Sequence, residues 1–273
     1  MEILSAIPIQ ECMNHLNLRI SNSASVRTDA SWHEEKVCSP YSRLYFVTGG
    51  SGELRYGSTR VQMQPGRLYL IPPGLTFDYC SPVELQKLYF HVNILKPDGY
   101  EMLQDIGRIL ECPYPVERTE QLKTYFFGNN CLDAFLLESE VRQAIAELLV
   151  RSGFRAPPIK QYSEPIVRAI RYIQRHLTLQ LTAASIAEEL FLSESQLTRR
   201  FRTEVGCTVS QYVDDLLFFS AQMQLASDDR SIGEISEALG FCDQFYFSRR
   251  FRQRYGVTPR QYRARLLTEL RGR

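Results

Sequence analysis

At 273 residues, with 44% hydrophobic and 23% charged side chains, the chain has the composition of a globular protein with room for two cores. Its net charge of +1 hides a division: residues 160–273 carry 17 Lys and Arg against 13 Asp and Glu, and residues 1–159 carry 15 against 18. The amino terminus lacks a basic segment followed by an apolar core, no run approaches the roughly 18 apolar residues of a membrane span, and the seven cysteines form neither a CxxC pair nor a Cys/His cluster, which argues against secretion, insertion and a metal cofactor and for a cytoplasmic protein with reduced thiols.

Residues 16–92 read as an all-β module. Alternation predicts strands over 16–20, 43–48, 53–56, 60–64, 67–71, 77–80 and 85–94. Between them stand Gly49-Gly50-Ser51-Gly52, Gly57-Ser58, Pro65-Gly66 and Pro72-Pro73-Gly74, residues that supply or fix turn dihedrals. Many short, closely spaced strands favour a small barrel. Strand parity then sends Arg43, Tyr45, Phe77, Tyr79, Lys87, Tyr89 and His91 to the inside, with Leu44 and Phe46 outward under the helices. Such a lining of rings, hydroxyls and cations suits a small-molecule effector, a sugar favoured and a small acid as the other candidate, or else it simply plugs the barrel.

After Pro97 the period becomes helical, predicting helices over 98–110, 117–127 and 131–151. The last carries Leu137, Val141, Ile145, Leu148 and Leu149 along one stripe, which either packs on its own barrel or pairs two subunits. Gly153 to Pro158 cannot continue a helix. The expected division is therefore a sensor and dimerisation domain over 1–152, a linker over 153–163 and a helical domain over 164–273, with Pro165 at a helix's first turn.

The helical domain repeats itself. Arg199-Arg200-Phe201-Arg202 returns as Arg249-Arg250-Phe251-Arg252, and Gly206, Thr208, Gln211 and Tyr212 return as Gly256, Thr258, Gln261 and Tyr262. Ile186, Glu188 and Leu190 return one residue closer, as Ile235, Glu237 and Leu239, so the second copy has an extra residue in its turn, around Gly240-Phe241. Each copy reads as a helix-turn-helix. In the first, Ser193 caps a second helix ending at Gly206, with Ile186, Ala187, Leu190, Leu197 and Phe201 as core. In the second, Ser231 and Asp243 cap the two helices, and Ile232, Ile235, Ala238, Phe241, Phe247 and Phe251 form the core. The opposite faces carry Ser195, Gln196, Thr198, Arg199 and Arg202, then Gln244, Phe245, Ser248, Arg249 and Arg252. Arginine suits guanine and phosphate, glutamine suits adenine, and phenylalanine can touch a thymine methyl. A spacer helix over 209–226 would let both second helices enter successive major-groove turns, roughly 34 Å apart, of double-stranded DNA.

The second copy and its tail, through Ile235, Gly240-Phe241, Phe247, Phe251, Gly256-Val257-Thr258-Pro259 and Tyr262-Arg263, resemble the signature of the AraC/XylS family of transcription regulators. The amino-terminal half resembles that family's cupin-like sensor more loosely, through Gly50, Gly52 and the run from Pro65 to Gly74. The resemblance implies a two-domain fold: an all-β cupin-like barrel with packed helices, then an all-α double helix-turn-helix. It also implies a homodimer acting on promoter DNA and RNA polymerase, usually as an activator. Ser195, Thr198, Arg199, Gln244, Phe245 and Arg249 match the family positions expected to face bases. Leu217 departs from the family, which often has arginine midway along the spacer helix. The alternative is a metal-dependent cupin enzyme with an appended DNA-binding half. It is disfavoured because catalytic cupins hold metal with several histidines, whereas here Phe77 and Asp78 stand where histidines often follow the Pro-Pro turn and His91 is alone.

Overall fold

The computed structural model describes residues 7–156, 158–227 and 230–270; Pro157 of the expected linker and both chain ends of the expected domains lie outside the described residues. The chain divides into two compact units. One comprises, among the described residues, 17–95 and 101–156. The other comprises Pro158–Leu267 together with Lys96–Tyr100 and the amino-terminal helix α1 (Ile7–His15).

The first unit holds two antiparallel sheets. Strands β1 (Asn17–Thr28), β8 (Leu85–Leu95), β3 (Ser42–Gly50), β6 (Arg67–Ile71) and β9 (Leu110–Pro113) lie in that spatial order in one sheet. The other sheet runs β2 (His33–Val37), β7 (Phe77–Cys80), β4 (Gly52–Tyr56), β5 (Thr59–Met63). Among the described residues no ladder joins the two sheets, so the expected barrel is not closed. Gly50 makes the crossing between sheets possible: it has φ +73, and a β-carbon there would run into the Glu84 carbonyl. Between the sheets lie Tyr45, Val47, Leu54, Met63, Tyr69, Ile71, Phe77, Tyr79 and Leu85. Helix α2 (Val116–Phe126) packs on the other face of β3, and α3 (Cys131–Arg151) packs on α2 and β9: Phe46 meets Tyr114, just before α2, edge to face, and Phe90 of β8 meets Phe126.

The expected helix over 98–110 does not form. Only a 3₁₀ turn, Gln104–Ile106, is present, and Gly99 and Gly107 both have positive φ. The buried Glu101 carboxylate accepts hydrogen bonds from the Ile94 and Leu103 amides and from Asn93 Nδ2 at 2.8 Å, so the backbone here is satisfied from the side rather than along a helix. Strands β2 and β9, and most of β1, were not expected.

The second unit is helical: α4 (Glu164–Arg175), α5 (Ala183–Glu189), α6 (Glu194–Val205), α7 (Val209–Ser227), α8 (Ile232–Ala238), α9 (Gln244–Tyr255) and α10 (Pro259–Leu270). A continuous core runs through Ile170, Ile186, Leu197, Phe201, Leu217, Phe218, Ile235, Phe247 and Phe251. Two members of the expected second core are placed otherwise. Ala238 is exposed and Ile232 half-buried, while Ser236 fills the buried position. Leu217, where the family often has arginine, is fully buried.

Candidate nucleic-acid interface and effector site

Both helix pairs of the second unit are joined by the same turn. Helix α5 ends in a residue with positive φ, Phe191, whose amide bonds to the Glu188 carbonyl while the Leu192 amide reaches Ala187. Helix α8 ends at Gly240 with the matching pair, Gly240 to Glu237 and Phe241 to Ser236. This double bond closes the last carbonyls of a helix and turns the chain sharply. The extra residue of the second copy therefore falls after Phe241, at Cys242.

Each second helix is then capped. The Ser193 hydroxyl accepts from the Gln196 amide, and the Gln196 side chain accepts from the Ser193 amide in return. The Asp243 carboxylate accepts from the Phe245 and Tyr246 amides, both at 2.7 Å, and the Tyr246 bond first, then one from the Cys242 thiol, lower its pKa from the ordinary aspartate value. Gly206 and Gly256, both left-handed, end α6 and α9.

The face of α6 turned from the core carries Ser195, Gln196, Arg199 and Arg202, all exposed, with Thr198 half-buried. The corresponding face of α9 carries Gln244, Phe245, Arg249 and Arg252, exposed, with Ser248 half-buried. Phe245 is 75% exposed. Gln196 is partly occupied by its capping bond, a role signalled by the spacing of Ser193 and Gln196 rather than by the helix face.

Two further arginines of α9 are engaged inward. Arg250 pairs with Asp214 at 2.5 Å, and Arg254 pairs with Asp214 at 3.3 Å and Asp215 at 2.5 Å, both on α7. Their guanidinium groups lie 5.2 Å from the Phe218 ring. They fasten the second reading helix to the spacer helix. The clue available in the sequence was the adjacent pair Asp214-Asp215.

In the first unit, β3 and β8 bring the expected effector residues into register: Arg43 lies opposite His91, Tyr45 opposite Tyr89 and Val47 opposite Lys87. Phe77 and Tyr79 come from β7 in the facing sheet. All are buried except Tyr89, which is half-buried. The Lys87 ammonium sits 3.6 Å from the centre of the Trp32 ring and 3.8 Å from that of Tyr45. Trp32 stacks on Tyr79 at 4.2 Å, and His91 stacks on Tyr41 at 4.4 Å. Arg43 donates to the Ser39 hydroxyl at 2.7 Å through Nη2 and to the Tyr45 hydroxyl at 3.5 Å through Nη1. Burial, and then the charge of Arg43, hold the Lys87 ammonium well below the ordinary lysine range. His91 is likewise pushed well below the imidazole value of 6.5 by burial, then by Arg43 and Lys87. Trp32, Ser39 and Tyr41 belong to this cluster and were not anticipated, because they stand outside the alternating segments that marked the strands. Among the described residues no three His, Cys, Asp or Glu side chains come together in a way that could hold a metal ion.

Comparison with known proteins agrees with both halves. Residues 28–152 match the AraC-like ligand binding domain, and residues 186–265 match a helix-turn-helix domain. The chain belongs to the AraC family of transcriptional regulators. It is a DNA-binding transcription factor with an effector-binding domain, and not an enzyme. It is 28% identical over 70% of its length to the regulatory protein PocR of Salmonella typhimurium, of which the match spans 64%. It is 26% identical over 81% of its length to the arabinose operon regulatory protein of Escherichia coli, spanning 80% of that protein. Against the lactose operon transcription activator of Staphylococcus xylosus the figures are 20% identity, 81% of this chain and 83% of that one. Among the described residues no helix of this AraC-family chain is long and apolar enough to cross a membrane.

Proposed function

We propose that the chain is a sequence-specific activator that works in the cytoplasm as a homodimer, contacts RNA polymerase at its promoters, and responds to a small molecule, a sugar favoured, held between the sheets of its β-rich unit. The observation that carries the reading is the pair of capped helices, α6 and α9, each offering two exposed arginines at matching positions, Arg199 and Arg202 on one and Arg249 and Arg252 on the other. In this reading Ser195, Gln196, Thr198, Arg199 and Arg202 meet one major-groove turn, and Gln244, Phe245, Ser248, Arg249 and Arg252 the next. The relatives named for the arabinose and lactose operons support a sugar effector, and the latter's name supports activation. Dimerisation is supported by the exposed Leu132, Phe135 and Val150 on α3. Arg43, Tyr45, Phe77, Tyr79, Lys87, Tyr89 and His91 are the residues proposed to line the effector site.

Footprinting of the purified chain on DNA upstream of its targets tests this reading. Protection of two adjacent helical turns is expected, and protection of a single turn, or of none, would overturn it. Arg249→Ala should weaken binding to the protected site by about 1–3 kcal/mol, with little change on unrelated DNA. An equal loss on all sequences would point to phosphate contact alone.

A further inference from the structure

The two reading helices are not equally free to meet DNA. Arg200 of α6 repeats as Arg250 of α9, but the second is engaged inward: it pairs with Asp214 at 2.5 Å and lies over the Phe218 ring of α7. Arg200 is exposed and, among the described residues, makes no hydrogen bond, ion pair or ring contact. Its polar neighbours one turn away are occupied elsewhere. Gln196 returns a capping bond to the Ser193 amide, and Glu204 gives one carboxylate oxygen to the Ser163 amide and the other to its hydroxyl. Helix α4, which packs against α6, exposes Arg168, Arg171 and Arg175 and a single carboxylate, Glu164. Where α7 offers α9 two aspartates, α4 carries a surplus of positive charge.

Helix geometry gives the direction in which Arg200 points. At 3.6 residues per turn it stands about 100° around α6 from Arg199. A helix about 10–12 Å across fills a major groove about 12 Å wide, so its outermost stripe meets base edges and its flanks meet the sugar–phosphate walls. Arg199 lies opposite the buried Leu197, Phe201 and Val205, on the stripe; Arg200 lies to one side, on the flank.

We propose that Arg200 binds a DNA phosphate beside the first major-groove turn, fixing the first copy on the duplex through the backbone as well as the bases. This rests on the reading that α6 lies in a major groove, and it adds a residue that orients the helix without reading sequence. A guanidinium with no acceptor in the protein finds one in the phosphate oxygens. The second copy has no counterpart, because Arg250 is neutralised by Asp214.

The full chain is titrated by fluorescence anisotropy against labelled duplexes of equal length, one carrying the footprinted segment and one of random sequence, over a series of salt concentrations. Arg200→Gln should weaken both complexes by a similar factor, roughly three- to tenfold, and should flatten the slope of log affinity against log salt by about one. Arg200→Lys keeps the charge and should restore the slope and most of the affinity, since a phosphate accepts a point charge where a base edge needs the planar fork. Unchanged affinity and slope in Arg200→Gln would overturn the proposal and leave Arg200 a solvated side chain. A loss confined to the footprinted duplex and not rescued by lysine would overturn it too, in favour of a base contact. Arg199→Ala separates this outcome from the reading beneath it. If Arg200→Gln is silent while Arg199→Ala weakens the footprinted duplex, the phosphate contact alone fails; if both are silent, α6 does not lie in the groove.

Discussion

The two helix-turn-helix units are alike on two faces of their second helix and different on the third. Phe201 and Phe251 fill equivalent core positions, and Arg199 and Arg249 point outward from equivalent surface positions. On the remaining face the first copy has Glu204 where the second has Arg254. Glu204 accepts from the Ser163 amide at 2.7 Å and its hydroxyl at 2.8 Å, tying α6 to the start of α4. Arg254, of opposite charge, ties α9 to Asp214 and Asp215 of α7. The same helix position thus anchors each copy, with the sign set by what lies opposite: a helix amino terminus in one case, paired carboxylates in the other. Duplication preserved the core and the reading face, while the anchoring face followed its neighbours.

The largest expected difference between the copies lies in the core. Phe251 stacks among Phe247, Tyr255 and Tyr262, with ring centres 4.6–5.8 Å away, whereas Phe201 meets Tyr212 at 5.3 Å. Truncating a buried phenylalanine to alanine costs about 3–5 kcal/mol. Phe251→Ala should fall at the upper end of that range and Phe201→Ala lower, measured by chemical denaturation. Equal losses would mean that the aromatic cluster adds nothing beyond buried area.

Next comes a buried hydroxyl. Ala187 of the first copy is replaced in the second by Ser236, 1% exposed, whose Oγ meets no partner among the described residues. Leaving such a group unsatisfied costs about 1–3 kcal/mol, so Ser236→Ala should raise stability by about 1 kcal/mol and make the two cores more alike. A lower melting temperature in this variant would show that the hydroxyl has an acceptor after all.

The anchoring face gives an effect of similar or smaller size. Arg254→Glu restores the residue type of the first copy but sets it against Asp214 and Asp215. Because the Arg254 side chain is 34% exposed, solvent screens the pair, and the loss should be about 1 kcal/mol, shrinking in high salt. A loss indifferent to salt would assign the role of Arg254 to its packing on Phe218 instead.

How much of the molecule is legible in its sequence varies with how local each cause is. The caps at Ser193, Ser231 and Asp243 and the stops at Gly206 and Gly256 are encoded within a few residues of where they act, and all five can be read directly. Parity along β3 and β8 likewise assigns Arg43, Tyr45, Lys87 and His91 to one face from alternation alone. What escapes has causes at a distance. The Asn- and Ser-rich part of β1 is a strand because it pairs along β8, and β2, with its charged His-Glu-Glu-Lys run, is an edge strand held by β7. The stretch around Glu101 has helical spacing but gives its amides to a carboxylate. Trp32 joins the cationic cluster only through the folding of the sheets. Whether the sheets close is equally beyond reach, since alternation reports which face a residue takes and not which edges meet.

The smallest effect concerns the turn itself. Both copies use the same pair of bonds to end the first helix, but the residue in the left-handed conformation is Gly240 in the second and Phe191, at φ 56, in the first. A side chain in that conformation costs about 1–2 kcal/mol, and the Phe191 ring, 92% exposed, recovers almost nothing by burial. Phe191→Gly removes that strain but enlarges the freedom of the unfolded chain by an amount worth about 0.4–1 kcal/mol. The net expectation is a small gain, under about 1 kcal/mol, in thermal or chemical denaturation. The reverse change, Gly240→Phe, should cost more than Phe191→Gly gains, because a β-carbon at Gly240 would also crowd the Gln180 side chain that donates to the Gly240 carbonyl. If Phe191→Gly left stability unchanged or higher but weakened DNA binding, the strained and exposed ring would belong to the reading surface, and the first copy would have a contact that the second lacks.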